Sequence, residues 1–115
     1  MRRVDFYKTS SGACPVEEFL DSLSPGVAKK VTWVLTLIED LPRVPKKWLK
    51  YLTDSAGIYE IRVQLGSDIY RILCFFHQNG VVVLTHGFVK KSNKTPKKEI
   101  KKAEALKKEW IGRHS

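Results

Sequence analysis

Residues 58–88 read IYEIRVQLGSDIYRILCFFHQNGVVVLTHGF. Three apolar runs, at about 58–64, 69–76 and 81–88, are separated by Gly66-Ser67 and Asn79-Gly80. Runs rich in β-branched and aromatic residues, broken by such short glycine-containing turns, are typical of β-hairpins. We therefore predict two successive hairpins, and with them an antiparallel sheet.

A strand and two helices are predicted ahead of these hairpins. Residues 3–8 are typical of a short strand, and Pro15 suits the first turn of a helix. Ser24-Pro25 predicts the start of a second helix, because serine caps helices and proline fits the first helical position. This helix buries one face through apolar residues at helical spacing, namely Val27, Val31, Val34, Leu35 and Ile38. Trp48-Leu49 is expected to pack in a loop or turn after it.

The positive charge is concentrated near the C-terminus. Residues 90–108 hold nine lysines and two glutamates, which accounts for seven of the nine net positive charges of the chain. Thr95-Pro96 predicts the start of a C-terminal helix that reaches about Trp110, with Lys97 and Lys98 in its first turn, where they oppose the helix dipole. Charge this concentrated requires an anionic partner or extensive hydration.

Composition limits the classes of protein that fit. A chain of 115 residues with 43% hydrophobic residues indicates one globular domain over residues 1–115. No apolar run is long enough for a membrane span, and the basic N-terminus lacks the apolar segment of a signal peptide. We therefore expect a cytoplasmic protein with no membrane association. Two cysteines without CxxC spacing and three scattered histidines predict no metal and no cofactor.

Strand parity separates the side chains of the three strands into two faces. One face is apolar and should be covered by the two N-terminal helices; it carries Tyr59, Ile61, Val63, Tyr70, Ile72, Cys74, Phe76, Val81 and Val83. The other face is mixed; it carries Glu60, Arg62, Gln64, Arg71 and His86, with Leu73, Phe75, Val82, Leu84 and Phe88 around them. A two-residue turn at Asn79-Gly80 would pair Leu73 with His86, and a four-residue loop would pair Arg71 with His86. Both registers give the same faces.

Two arginines oppose each other on the mixed face. Gly66-Ser67 as a two-residue turn pairs Arg62 with Arg71, and like charges directly opposite in a sheet are unfavourable. The pair therefore needs an anion, which could be the neighbouring Glu60 or a phosphate of a ligand. His86 on the same face and the lysines that follow it favour a phosphate site.

Three segments carry a resemblance to a known family. Glu60-x-Arg62, Tyr70-Arg71 and the stretch His86-Gly87-Phe88-x-Lys90-Lys91-x-x-Lys94-Thr95-Pro96 resemble the phage-derived Gp49-like toxins, also called HigB-like, of the RelE/ParE toxin–antitoxin superfamily. Phe6-Tyr7-Lys8 and Pro15-Val16 with Phe19-Leu20 are similar to the N-terminal pattern of that family. The likeness therefore spans nearly the whole chain.

The resemblance implies a fold, an activity and partners. The fold is α+β and RelE-like: an antiparallel sheet with two N-terminal helices on one face and a C-terminal basic helix. The activity is metal-independent cleavage of mRNA in the ribosomal A site, which also brings the protein against ribosomal RNA. The partner is a helix-turn-helix, HigA-like antitoxin. Members of the same superfamily poison DNA gyrase instead, so the fold alone does not decide the target.

Cleavage of RNA without metal uses the adjacent 2′-hydroxyl as nucleophile, so the protein must move protons and stabilise charge on the phosphate. Arg71 is the first candidate for the phosphate contact and Arg62 the second. We expect Arg71→Ala to leave the fold intact, because the side chain points away from the N-terminal helices. His86 is the candidate acid or base, and Lys90 could assist proton transfer or grip the backbone. The candidate RNA-binding residues are Lys91, Lys94, Lys97, Lys98 and Phe88.

Alternatives to these roles stay open at this point. Arg62 could simply pair with Glu60, and His86 could be a strand histidine bonded to a neighbour. Phe88 could stack on a base, or seat the C-terminal helix or the antitoxin. The functional hypotheses are a ribosome-dependent endoribonuclease, a non-catalytic inhibitor of gyrase, and a basic nucleic-acid-binding accessory protein of a phage. The face with two arginines and a histidine favours the first, since neither binding protein needs a titrating group there.

Overall fold

The computed structural model describes residues 2–114 and has an α+β fold, as predicted. Its strands are β1 (Arg3–Phe6), β2 (Leu49–Tyr51), β3 (Tyr59–Leu65), β4 (Asp68–His77) and β5 (Val81–Lys90). Its helices are α1 (Pro15–Asp21), α2 (Pro25–Asp40) and α3 (Lys97–His114), with a 3-10 turn at Gln78–Gly80. Within the described residues, none of the helices combines the length and apolarity needed to cross a membrane.

The five strands form one sheet in the order β1-β5-β4-β3-β2. Strands β3 to β5 pair antiparallel, as predicted, and β2 pairs antiparallel with β3, but β1 pairs parallel with β5, so the sheet is mixed. A hairpin forces its two strands to be antiparallel, whereas β1 and β5 are joined through most of the chain and are free of that constraint.

Strand β2 replaces the loop that we predicted at Trp48-Leu49. Leu49 lies opposite Ile61 in β3, and the carbonyl of Trp48 accepts a hydrogen bond of 2.9 Å from the backbone N–H of Arg62. Three residues are too few to show a side-chain period. The strand exists because β3 offers an edge to pair with, which the local sequence does not reveal.

The hairpin of β3 and β4 has the predicted register. Gln64 lies opposite Ile69 and Arg62 lies opposite Arg71, around a turn whose first residue, Gly66, has a φ of +64°. Glycine adopts this left-handed backbone conformation without the steric cost that a side chain brings. The two arginines therefore face each other, as parity indicated.

A β-bulge in β5 contradicts part of the predicted face assignment. Leu73 pairs with His86 but Cys74 pairs with Leu84, so Thr85 is the extra residue. Val81 and Val83 therefore face α3, while Val82 and Leu84 face α1 and α2, the reverse of the prediction. The run Val81–Leu84 is uniformly apolar, so it contains no alternation from which a bulge could be detected. His86 and Phe88, beyond the bulge, keep their predicted face.

Helices cover both faces of the sheet. Helices α1 and α2 pack on one face, where Val31, Val34 and Ile38 are fully buried. At Gly87 a Cβ atom would collide with the ring of Phe19, so the glycine allows α1 to lie close to β5. Helix α3 packs on the mixed face through Ala103 and Trp110. The mixed face is thus covered by α3 and is not open to solvent.

Candidate functional site

The two facing arginines are bridged by a carboxylate of the same chain. Glu60 lies between them, with Oε1 3.3 Å from Nε of Arg62 and Oε2 3.6 Å from Nε of Arg71. Glu60 and Arg71 are only 1% and 0% exposed. Of the two anions that the sequence left open, the structure places Glu60 between the arginines.

This ion cluster holds the lysine turn, which we define as residues 91–96. The guanidinium of Arg71 donates to the carbonyl oxygens of Ser92 and, at 3.1 Å, of Lys94. The hydroxyl of Thr95 donates to Oε2 of Glu60. Arg62 is partly exposed and donates to the side-chain oxygen of Asn93 at 3.2 Å. The turn is therefore fixed from beneath by side chains of the sheet.

Arg71 does not reach the surface in this arrangement. Burial lowers the pKa of its guanidinium, Glu60 opposes that shift, and Arg62 adds to it. An arginine side chain nevertheless stays protonated in proteins. The sequence interpretation treated Arg71 as an open side chain that reaches a phosphate. Here its donors are directed to backbone carbonyls of the turn, and the contact with phosphate stays a prediction.

His86 is enclosed between β5 and α3. Its Nε2 lies 3.1 Å from Oε1 of Glu99, and its Nδ1 lies 3.2 Å from the hydroxyl oxygen of Thr85. The ring stacks on Phe88, with the centroids 5.9 Å apart. Burial lowers the pKa of His86, Glu99 opposes that shift, and Lys102 adds to it. Nε2 can donate to the carboxylate of Glu99, and a role in proton transfer stays a prediction.

Acid should weaken the folded state through His86. Histidine in an unfolded chain has a pKa of about 6.5, and the folded pKa is lower. Below about pH 6.5 the unfolded chain therefore binds the proton first, and the free energy of unfolding falls by up to about 1.4 kcal/mol per pH unit until the folded pKa is passed. Urea unfolding from about pH 8 to pH 5 measures this.

A matched pair of variants tests whether His86 causes this dependence of the free energy of unfolding on pH. His86→Gln removes the buried titrating ring, so the free energy of unfolding should change less with pH. His114→Gln, near the exposed end of α3, controls for the loss of a histidine as such. Equal slopes in the wild type and in His86→Gln would show that another group governs acid stability.

A basic cleft lies beside the ion cluster, between β2, the lysine turn and α3. It has a volume of about 570 Å³. Four lysines line it, namely Lys50, Lys94, Lys97 and Lys101. Three carboxylates also lie in its wall: Glu60 is paired with the two arginines, Glu104 accepts a 2.7 Å hydrogen bond from the backbone N–H of Ala56, and Asp54 is exposed. The four lysines outnumber the two carboxylates that are not paired with arginine, so the cleft keeps an excess of positive charge that can meet an anionic ligand.

The cleft gathers some of the predicted RNA-binding residues and not others. Lys94 and Lys97 line it, whereas Lys90, Lys91 and Lys98 are exposed outside its lining. Phe88 is only partly exposed and packs with the core beneath α3, which matches the alternative in which it seats the C-terminal helix.

Sequence reasoning missed Lys50 and gave Lys101 no role in a site. Lys50 lies opposite Glu60, on the mixed face, which becomes visible only once β2 is recognised as a strand. Lys101 follows Lys97 by four residues on α3, and that spacing places both on one side of a helix. Helical periodicity could therefore have identified Lys101. No such signal existed for Lys50.

Residues 2–114 contain no group of three or more histidine, cysteine, aspartate or glutamate side chains placed to hold a metal ion. Besides its lysines, the cleft presents the side chains of Asn93 and Thr95, with the partly exposed Arg62 beside them.

Comparison with known families gives a match over most of the chain. The family described as "Phage derived protein Gp49-like (DUF891)" matches residues 18–108. The matched region contains four of the five strands, the lysine turn and most of α3, so it includes the whole lining of the cleft. A search of curated proteins found no match.

Proposed function

Since the chain belongs to the Gp49-like family of phage-derived proteins, we propose that it is the toxin of a type II toxin–antitoxin system and cuts mRNA on the ribosome. Members of this family are commonly toxins of the RelE-like kind, and RelE-like toxins include endoribonucleases. In this role the chain would bind mRNA in the A site, contact ribosomal RNA and be neutralised by a helix-turn-helix, HigA-like antitoxin.

The observation that carries the proposal is the lysine-lined cleft above a buried ion cluster. Lys50, Lys94, Lys97 and Lys101 converge on a groove whose wall also holds three carboxylates, of which Glu60 is paired with arginines; the four lysines thus outnumber the remaining two, Asp54 and Glu104. Lysines along a groove bind the phosphates of a nucleic-acid backbone, which gives affinity without reading the sequence. Such a site suits a single strand of mRNA.

We assign different tasks to the groups at the cleft and beneath it. The cleft lysines and Arg62 would hold the scissile phosphate and stabilise the charge that develops when the 2′-hydroxyl attacks. Lys94 and Lys97 lie at the surface, where their ammonium groups can contact phosphate oxygens directly. Arg71 and Glu60 would act as positioning residues, because they hold the turn that carries Lys94. His86 would need to become accessible before it could transfer a proton.

Brief induction of the protein in a bacterial host tests this function. Growth should stop because translation fails, and the 5′ ends of cellular mRNA should cluster at cuts that keep the reading frame. A variant with Lys94, Lys97 and Lys101 changed to glutamine, confirmed to be folded, should relieve both effects.

Two other outcomes would contradict the proposal. Intact transcripts together with broken DNA would point to inhibition of gyrase, the alternative target within the same superfamily. Normal growth at a high level of folded protein would argue against any toxic activity of the chain.

A further inference from the structure

An exposed pair of tryptophans lies on the other side of the sheet from the cleft. Trp33, on the outer side of α2, is 49% exposed. Its ring meets that of Trp48 nearly at a right angle, with the centroids 5.6 Å apart. The ammonium of Lys47 lies 4.4 Å from the centroid of the Trp48 ring. We call Trp33, Lys47 and Trp48 the tryptophan platform.

The platform has the features of a surface that binds an unpaired base. A perpendicular contact uses at most one face of each ring, so Trp48 leaves at least one face of Trp33 uncovered. Trp48 is partly buried against the core beneath α2, which fixes the position of the pair. Lys47 in the platform and Lys46 beside it are exposed and bring positive charge. Aromatic faces beside cations are how proteins bind single-stranded nucleic acid.

Only the edge strand β2 separates the platform from the cleft. Trp48 directly precedes β2, and Lys50, two residues later, lines the cleft. Tyr51 connects the two sides. It lines the cleft, and its ring packs against that of Tyr59 on the α2 side, with the centroids 5.1 Å apart. Since β2 is the last strand of the sheet, a nucleic-acid strand can pass round its edge from the cleft towards the platform.

We propose that a single strand of mRNA in the cleft continues over the edge of β2 and stacks one unpaired base on Trp33. This inference rests on the proposed function, since the cleft supplies the first part of the path. Lys50 and Lys47 follow each other along that path, so the phosphates meet a cation on each side of the edge. The continuity of platform and cleft assigns the base to the mRNA rather than to another partner.

Binding of RNA of two lengths tests the path. Oligonucleotides with 2′-O-methyl groups cannot be cut by a neighbouring hydroxyl, so their affinity can be measured by anisotropy. A short probe of about 4 nucleotides fills the cleft alone, and a probe of about 10 also reaches the platform. Trp33→Ala should weaken binding of the long probe by about tenfold or more and leave the short probe unchanged. Trp33→Phe should restore much of the loss.

Controls separate this inference from the proposed function. Thr32→Ala, at the exposed neighbour of Trp33 on α2, should bind both probes like the wild type. Lys97→Gln with Lys101→Gln should weaken both. Equal binding of the long probe by Trp33→Ala and the wild type would overturn the path while leaving the function intact. Failure of the wild type to bind either probe would overturn both. A loss confined to antitoxin binding would make the platform a protein-docking surface instead.

Discussion

Arg71→Ala is expected to lower the free energy of unfolding by about 3–5 kcal/mol, the usual effect of removing one partner of a buried ion pair. Arg71 is fully buried, and its removal leaves Glu60 with one arginine and the carbonyls of Ser92 and Lys94 without their donor. Chemical unfolding of the purified protein measures the loss. The sequence alone had led us to expect an intact fold in this variant. Burial beneath the lysine turn reverses that expectation.

Two variants sharpen the test of Arg71. Arg62→Ala removes the other arginine, which is partly exposed, and should lower the free energy of unfolding by clearly less than Arg71→Ala. Arg71→Met combined with Glu60→Gln removes both buried charges and should recover part of the loss, because no charge is then left unpaired in the interior. If Arg71→Ala instead kept wild-type stability and lost only RNA cleavage, Arg71 would be a direct phosphate contact and the structural role would be wrong.

Replacing Lys94, Lys97 and Lys101 together by glutamine should weaken the binding of single-stranded RNA by about a hundredfold near 0.1 M salt. Each phosphate of a single strand that is deprived of its lysine lowers the slope of log affinity against log salt by about 0.7, so three such phosphates lower it by about 2. All three lysines line the cleft and are exposed or partly exposed, so the fold should not change. A salt titration of binding and a thermal melt measure the two quantities.

The lysines outside the cleft provide a control with the same change in charge. Lys90, Lys91 and Lys98 are exposed and do not line the cleft, and their replacement by glutamine removes the same three charges. If the cleft is the RNA site, this variant should lose far less affinity and keep most of the salt slope. If both triple variants lose affinity equally, binding depends on net charge alone and the cleft has no special role.

The long periodic elements were readable from the sequence because each carries its own local signal. Ser24-Pro25 marked the start of α2, and the Ser24 hydroxyl accepts from the backbone N–H of Val27. Gly66 marked a two-residue turn, which set Arg62 opposite Arg71. Where no local signal existed the prediction failed, as at the three residues of β2 and at the bulge at Thr85.

The site was predicted only in part, for a related reason. The concentration of lysines in residues 90–98 was visible in the sequence, and two of them, Lys94 and Lys97, line the cleft. Lys50 joins them from a strand more than 40 residues earlier, through a pairing that depends on β3. No spacing along the chain connects these residues, because their proximity is a product of the fold.

The sequence by itself determined the fold class, the central hairpins, the shared face of Glu60, Arg62, Arg71 and His86, and the resemblance that the family match supports. The tertiary structure alone decided that this face is closed. Strand parity states which side of a sheet a side chain occupies, but not what packs against that side. Helix α3 and the lysine turn fold over it, so Arg71 and His86 are buried. The cationic side chains that a ligand can reach are instead the lysines that line the cleft beside β2.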